Sequence, residues 1–237
     1  RGLKVTLVEM AERILQRVAC AETSDYFREL HLSHGVTLLE GVGLTRLTGA
    51  EHVTGATLSN GTTLDIDFAL VGVGIQPNTG LAETAGLTLN NGIETNALGQ
   101  TSGPNIWAAG DCASFPYKDG RIRLESVPNA IDQAEVVAAN MLGAAKEYHA
   151  TPWFWSDQYD VKLQIAGLNQ GFDKVVTRQG DAGRSHWYYK GGQLLAVDAM
   201  NDPRAYMVAK RLIEAGKTVD PTLVADPSSD LKALLRG

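Results

Sequence analysis

Residues 101–111, TSGPNIWAAGD, end in a run of very small side chains followed by a carboxylate. Ala108, Ala109 and Gly110 carry almost no side chain, so a bulky ligand can approach the backbone closely. Asp111 comes where the extended segment is expected to end, and its carboxylate can accept hydrogen bonds from hydroxyl groups. The segment therefore predicts a site for a polyhydroxylated chain, although a buried strand closed by a turn would have the same pattern.

A helix is predicted to begin near Ser126, further along the chain. Ser126 can cap the helix, and Pro128 suits its first turn, where the N–H that proline lacks would have no partner within the helix. The apolar spacing then continues to Leu142. The unpaired N–H groups and partial positive charge of a helix start stabilise negative charge on a ligand. An ordinary amphipathic helix would show the same spacing, and that interpretation stays open.

A third segment, residues 152–161 with the sequence PWFWSDQYDV, holds Trp153, Phe154 and Trp155 in succession. Aromatic clusters of this kind usually pack in a core. That is the interpretation that these residues favour when they are considered alone.

Together the three segments resemble the FAD-dependent pyridine nucleotide reductases. Residues 101–111 resemble the second flavin-binding motif of that family, T-x₆-(A)-A-x-G-D, and the W-S-D-Q stretch at Trp155 resembles the branch of ferredoxin, rubredoxin and putidaredoxin reductases. Members of this branch feed electrons to aromatic-ring dioxygenase or P450 systems. The resemblance implies that NADH delivers hydride to FAD, which then passes single electrons to a 2Fe–2S ferredoxin or a similar small redox protein.

The same resemblance implies roles for particular residues. Asp111, with Gly110 beside it, would hold the ribityl chain of FAD. The backbone at Ser126, Val127 and Pro128 would contact the flavin ring. Trp155 would lie between the flavin and the docking surface for the iron–sulfur partner, so it is the candidate electron-transfer residue.

A candidate NAD site lies near the beginning of the chain. Residues 2–9, GLKVTLVE, form an apolar run that ends in an acid, which is typical of a parallel strand covered on both faces. In dinucleotide folds such an acid binds the ribose hydroxyls, so Glu9 favours NAD over NADP. Arg13 weakens this expected preference, because an arginine nearby can accept a 2′-phosphate. Arg13 can equally pair with Glu9 or contact the dinucleotide phosphates. Gly74 lets the backbone approach the dinucleotide.

The order of elements predicts an α/β protein, part of a reductase with two Rossmann-like dinucleotide domains, followed by a C-terminal α+β domain. Residues 1–77 are expected to form a partial NAD-binding domain, residues 78–150 a segment of the FAD-binding domain, and residues 151–237 the α+β domain. The elements expected within these domains are helices at 24–33, 126–142, 203–216 and 228–235, and strands at 2–9, 36–39, 44–47, 53–58, 63–66, 68–73, 87–89, 93–95, 161–165, 174–178, 186–190 and 194–199. The strands at 44–47, 53–58 and 63–66 are expected to form a three-stranded antiparallel sheet, with a tight hairpin turn at residues 59–62 between the last two.

Both glycine-rich phosphate loops of the resembling family are missing from the sequence. The runs at residues 41–43 and 72–74 lack the third glycine and the helix that should follow. We therefore expect the chain to be the C-terminal portion of a reductase, with half of each cofactor site outside it, and to be inactive alone.

Composition excludes several other classes of protein. A net charge of −6 without a basic run argues against nucleic acid or an anionic membrane as partner. No apolar stretch is long enough to span a membrane and no signal-peptide pattern opens the chain, so a cytoplasmic location is expected. Cys20 and Cys112 are far apart and form no C-x-x-C pair, so no redox disulfide is expected, and no set of residues with metal-ligand spacing is found in the sequence.

The sequence thus predicts an NADH-dependent flavoprotein ferredoxin reductase. Two alternatives stay open at this stage. One is another enzyme on the same scaffold, such as an NADH oxidase, the flavoprotein subunit of a nitrite reductase or a protein similar to apoptosis-inducing factor. The other is a binding module or an inactive fragment.

Overall fold

A computed structural model of the chain describes residues 2–181 and 183–235. Arg1, Ala182, Arg236 and Gly237 lie outside the described residues. Arg1 belongs to the first expected domain, and the other three belong to the last one. The chain forms two compact units, one extending to Gly74 and the other beginning at Ile75.

The first unit contains a β-α-β arrangement. Strand β1 (Thr6–Glu9), helix α1 (Ala21–Ser33) and strand β2 (Thr37–Glu40) follow one another in the chain. The two strands are parallel, and their register ends with Glu9 opposite Glu40. A helix between parallel strands is the connection that such a pair requires, so two acids meet at the carboxyl edge of the pair.

A three-stranded antiparallel sheet completes the first unit, as the sequence predicts. It consists of β3 (Leu44–Thr48), β4 (Gly55–Leu58) and β5 (Thr63–Asp65). The expected tight turn between the last two strands is confirmed, since the Leu58 N–H donates to the Thr62 carbonyl at 2.9 Å.

Two apolar segments that were expected to be strands are not. Residues 2–5 and 68–73 form no ladder with any described strand, and Leu70 and Val73 are 95% and 90% exposed. A parallel strand is stable when hydrogen-bonded neighbours and covering helices flank it. Among residues 2–74 the parallel sheet has two strands, β1 and β2, which are themselves only partly buried.

The second unit begins with smaller elements. Helix α2 (Gly80–Thr84), the parallel strands β6 (Ile93–Glu94) and β7 (Ala113–Tyr117), and β8 (Gly120–Ile122) precede helix α3 (Val127–Met141). The strand expected at 87–89 is reduced to a single bridge between Leu89 and Ile93. The hairpin of β7 and β8 was not predicted, because Pro116 and the polar turn after it obscure the alternation.

An antiparallel sheet of five strands follows. Its strands are β9 (Trp153–Gln158), β10 (Val161–Gly167), β11 (Lys174–Gln179), β12 (Arg184–Lys190) and β13 (Gln193–Met200). They are ordered β11-β12-β13-β10-β9, so that β9 is an edge strand. The four strands predicted in this region after residue 160 are confirmed with small shifts at their ends.

Helix α4 (Pro203–Glu214) covers one face of this sheet. Asp202 caps the helix by accepting the Ala205 N–H at 3.0 Å, and Pro203 occupies its first turn. The core between this helix and the sheet includes the buried side chains of Trp187, Tyr189 and Val197 from the sheet and of Tyr206 and Leu212 from the helix.

The prediction of a helix at 228–235 is wrong. The structure instead has a short helix α5 (Pro221–Ala225) and a single 3₁₀ turn at Ala233–Leu235. Asp226 and Asp230 each accept the backbone N–H two residues later, and such local bonds compete with helix formation. None of the helices among the described residues is long and apolar enough to cross a bilayer.

Candidate functional site

Asp111 lies in a 3₁₀ turn, Gly110–Cys112, rather than at the end of a regular strand. The preceding segment makes one isolated bridge, between Gln100 and Trp107, so the expected extended run is largely loop. Gly110 has a φ of +76°, and a Cβ there would lie 3.3 Å from the Cβ of Ala130. The position favours glycine because both the backbone conformation and the close approach of α3 disfavour a side chain.

Helix α3 holds the turn through a residue that sequence analysis missed. The Gln133 side chain is almost completely buried, and its Oε1 accepts the Gly110 N–H at 2.8 Å. Asn129 and Val137, one turn away on either side, are buried as well. Asn129 and Gln133 are two amide residues spaced four apart on the buried side of α3, and this spacing is the signal by which the contact could have been found. A buried amide requires a hydrogen-bond partner.

The turn and α3 together line an open groove of about 520 Å³. Its lining residues are Ala109, Gly110, Asp111, Val127, Ala130, Ile131 and Ala134. Val127 and Ile131 are 60% and 54% exposed, which leaves an apolar wall facing solvent. The Asp111 side chain is exposed, and its carboxylate accepts no hydrogen bond from any described residue.

The residues of this groove fit part of an FAD molecule. The small side chains at Ala109, Gly110, Ala130 and Ala134 leave room beside the backbone. The apolar wall suits a flat aromatic ring, and an exposed carboxylate suits a polyhydroxylated chain. A groove of these components can therefore hold the ribityl and ring portions of a flavin.

The start of α3 differs from the expectation in one respect. Ser126 is at the N-cap position and Pro128 lies in the first turn, as predicted, but the Ser126 hydroxyl does not cap the helix. It donates instead to the Trp153 carbonyl at 3.0 Å. This bond ties β9 to the beginning of α3, and it leaves the first-turn N–H groups without a side-chain cap.

Trp153 and Trp155 lie on the same face of β9 but have different surroundings. Their ring centroids are 5.6 Å apart. Trp153 packs beside Tyr206 of α4, with the Lys210 ammonium 5.1 Å from its ring centroid, whereas Trp155 is 45% exposed. Trp153 is therefore partly buried against the core, whereas Trp155 is an accessible aromatic side chain on an edge strand.

The candidate dinucleotide residues lie in the first unit. Oε1 of Glu9 accepts the Ala11 N–H at 2.8 Å. Arg13 donates to the Cys20 carbonyl and the Ser24 hydroxyl, and it forms no ion pair with Glu9 within the described ranges. The prediction that Arg13 could pair with Glu9 is thus wrong, because Cys20, which precedes α1, and Ser24 within α1 supply the acceptors for this guanidinium.

Glu40, opposite Glu9, was not recognised from the sequence. Its carboxylate accepts the Ile14 N–H and pairs with Arg28, whose Nε lies 2.8 Å from Oε2. Hydrogen bonding to Arg28 holds the pKa of Glu40 below its ordinary value. Glu40 therefore has a structural role, whereas Glu9 has no cationic partner among the described residues.

Gly74 lies at the end of the first unit, in the segment without a ladder. Its φ is +93°, and a Cβ there would lie 3.6 Å from Nη1 of Arg17. The conformation favours glycine.

Comparison with known proteins assigns a family to this combination of fold and groove. Residues 1–134 match the model described as pyridine nucleotide-disulphide oxidoreductase, and residues 153–235 match the reductase C-terminal model. The chain belongs to the pyridine nucleotide-disulphide oxidoreductase family.

Curated proteins similar to this chain include ferredoxin reductases, as the resemblance predicted. The chain is 41% identical to a ferredoxin–NAD(P)⁺ reductase of Sphingomonas sp. over 98% of this chain and 57% of the relative. It is 39% identical to putidaredoxin reductase of Pseudomonas putida over 99% of this chain and 57% of the relative. The chain thus spans little more than half the length of these curated relatives.

Solved structures agree with this assignment. A ferredoxin reductase from Rhodopseudomonas palustris matches with a TM-score of 0.94 and 42% identity, over 98% of this chain and 59% of that one. The covalent putidaredoxin reductase–putidaredoxin complex matches with a TM-score of 0.94 and 37% identity, over 99% of this chain and 58% of that one.

Proposed function

We propose that this chain is part of an FAD-dependent reductase that takes electrons from NADH and passes them to a 2Fe–2S ferredoxin or a similar small redox protein serving an oxygenase. When bound, FAD would accept hydride from the nicotinamide and release electrons singly. The observation that carries the proposal is the groove in which the exposed Asp111 carboxylate, the uncapped start of α3 and the apolar wall of Val127 and Ile131 come together.

Each residue of the groove has a proposed task. Asp111 accepts hydrogen bonds from the ribityl hydroxyls, and Gly110 keeps the turn close to α3. The backbone at Ser126, Val127 and Pro128 faces the pyrimidine edge of the ring, where the helix dipole stabilises negative charge.

The other proposed tasks concern the electron donor and the electron acceptor. In the first unit Glu9 binds the NAD ribose, Arg13 contacts the dinucleotide phosphates, and Gly74 gives backbone access. Trp155 occupies the gap between flavin and ferredoxin, and its exposure on an edge strand supports this role.

The proposal divides the chain by function. Residues 1–77 contribute to NAD binding, residues 78–150 to FAD binding, and residues 151–237 form the C-terminal reductase domain. We also propose a cytoplasmic location.

The test of FAD binding uses the full-length reductase that contains this chain. Wild-type protein should contain FAD and reduce ferredoxin with NADH. Asp111→Asn should weaken FAD binding by about 10- to 100-fold, as expected for losing charge-assisted hydrogen bonds of ~1.5–3 kcal/mol. Asp119→Asn, in the exposed turn between β7 and β8, is the matched control and should bind FAD normally.

Two results would contradict the proposal. One is wild-type protein that binds no flavin, and the other is oxygen as the preferred electron acceptor, which would instead indicate an oxidase. Rapid-mixing spectroscopy can then examine Trp155. Trp155→Ala should slow electron delivery to ferredoxin more than flavin reduction by NADH, whereas equal slowing of both steps would indicate a packing role.

A further inference from the structure

Arg123 connects the two segments that form the candidate flavin groove. Its side chain is 9% exposed and lies between β8 and the start of α3. Nη1 donates to the Asp111 carbonyl at 3.0 Å, and Nη2 donates to Oε1 of Glu125 at 2.8 Å. Glu125 directly precedes the N-cap residue Ser126. The guanidinium therefore bridges the Asp111 turn and the entry to α3.

The turn is held at two successive residues by side chains distant in sequence. Gln133 accepts the Gly110 N–H, while Arg123 donates to the Asp111 carbonyl. Gly92 leaves space for this arrangement, since a Cβ there would lie 3.0 Å from Cδ of Arg123 and 2.6 Å from the Cys112 carbonyl oxygen. These contacts fix the backbone of Asp111 while its carboxylate stays exposed.

Holding the turn with Arg123 carries a desolvation cost. Nε of Arg123 is buried without a hydrogen-bond partner among residues 2–181 and 183–235. A buried cation with an unsatisfied donor incurs a desolvation cost that an apolar contact would avoid. A buried polar group that is left unsatisfied calls for an explanation, and a functional role is one of them.

The neighbouring Arg121 provides a contrast on the same hairpin. It donates to the Thr95 and Ser114 carbonyls at 2.8 and 2.6 Å, and Nη2 lies 3.5 Å from Glu94. These contacts join β6 to β7 and include no residue that lines the groove. Arg121 is thus a structural arginine of similar bonding capacity.

We propose that Arg123, paired with Glu125, is a positioning residue for Asp111. By holding the Asp111 carbonyl beside the entry to α3, it sets the distance between the Asp111 carboxylate and the uncapped helix start. Those are the two features assigned above to the ribityl chain and the ring of FAD, so this inference rests on the proposed function.

The test measures FAD binding by the full-length reductase and the visible absorption and circular dichroism of the bound flavin. Arg123→Lys keeps the charge, but one ammonium cannot reproduce the two-pronged bridge. It should weaken FAD binding by about tenfold or more and change the flavin circular dichroism, with Arg123→Met more severe. Glu125→Gln keeps the acceptor oxygen and should stay close to wild type. Gln133→Leu, which releases Gly110, should act in the same direction as Arg123→Lys.

Arg121→Lys is the matched control. It should lower the thermal midpoint of the protein without altering the spectrum of bound FAD. Wild-type affinity and spectrum in Arg123→Lys would overturn the inference while leaving the proposed function intact. Equal effects of the Arg121 and Arg123 substitutions on binding would overturn it too, since they would indicate general loss of stability. Absence of FAD from the wild-type enzyme would overturn the proposed function itself.

Discussion

The five-stranded sheet and the segment between β5 and α2 both contain large apolar side chains. These side chains are buried in the sheet and exposed in the segment. Trp187 and Val197 in the sheet are completely buried, whereas Leu70 and Val73 in the segment are 95% and 90% exposed. In the sheet, β12 and β13 have ladder partners on both sides and α4 covers one face. The segment has no ladder partner among the described residues.

The difference shows what an apolar strand pattern means. Burial of a strand requires partners for its backbone N–H and C=O groups as well as apolar side chains. Where those partners are available the pattern is a reliable guide, and where they are not the same residues stay exposed. Substitutions in the two regions should therefore have very different energetic effects.

The largest expected effect is that of Trp187→Ala in this chain. Its ring is completely buried and its Nε1 donates to the Ser185 hydroxyl, so the free energy of unfolding should fall by about 3–5 kcal/mol. Urea denaturation followed by far-ultraviolet circular dichroism measures this. Leu70→Ala is the contrasting variant and should change stability by ~0.5 kcal/mol or less. A comparable loss in Leu70→Ala would show that the exposed segment does pack.

Arg178→Met should have the next largest effect. This buried guanidinium of β11 donates to the carbonyls of Val224, Asp226, Pro227 and Ser229. Its loss leaves several acceptors unpaired, so the free energy of unfolding should fall by about 3 kcal/mol. Limited proteolysis should then cut after residue 220. Lys174→Met, at an exposed position on the same strand, should change neither measurement.

Glu9 and Glu40 provide a comparison within the parallel pair. In the full-length enzyme Glu9→Ala should narrow the preference for NADH over NADPH in kcat/KM, because it removes ribose hydrogen bonds worth ~1.5–3 kcal/mol. Glu40→Ala should lower stability and leave the preference unchanged, since Arg28 and Ile14 already occupy its carboxylate. A wild-type preference for NADPH would refute the role of Glu9.

The Arg28–Glu40 pair should also give a pH dependence. Because Arg28 lowers the pKa of Glu40 in the folded chain, the stabilisation is fully present above the ordinary value of 4.5 and is lost as pH falls through the folded pKa. The difference in thermal midpoint between wild type and Glu40→Gln should thus shrink below about pH 4.5. A constant difference across this range would mean that the charge is unimportant.

The smallest effect is expected for Tyr189→Phe. The Tyr189 hydroxyl is buried without a hydrogen-bond partner in the described part of the chain, and burial raises its pKa. Removing it should leave stability unchanged or increase it by ~1 kcal/mol or less. Tyr188→Phe is the control, since Tyr188 donates to the buried Asp198 and its loss should be destabilising. Destabilisation by Tyr189→Phe would reveal a partner for the hydroxyl.

Much of the local structure follows from short-range sequence signals. Pro128 and Pro203 lie in the first turns of their helices, and the turn at residues 59–62 joins two strands as expected. These features depend on neighbouring residues, whose conformational preferences act within a few positions. The family followed from motifs of the same kind, around Asp111 and Trp155.

The tertiary structure decided how these motifs are used. Gln133 and Arg123 fix the Asp111 turn from positions 23 and 12 residues away along the chain. Ser126 bonds to Trp153 instead of capping its helix, and Trp153 is packed where Trp155 is exposed. Residues 68–73 are apolar enough for a strand, yet no described strand pairs with them. Each of these outcomes depends on which distant groups meet, and hydrogen-bond pairing and packing between distant segments are not encoded in local spacing.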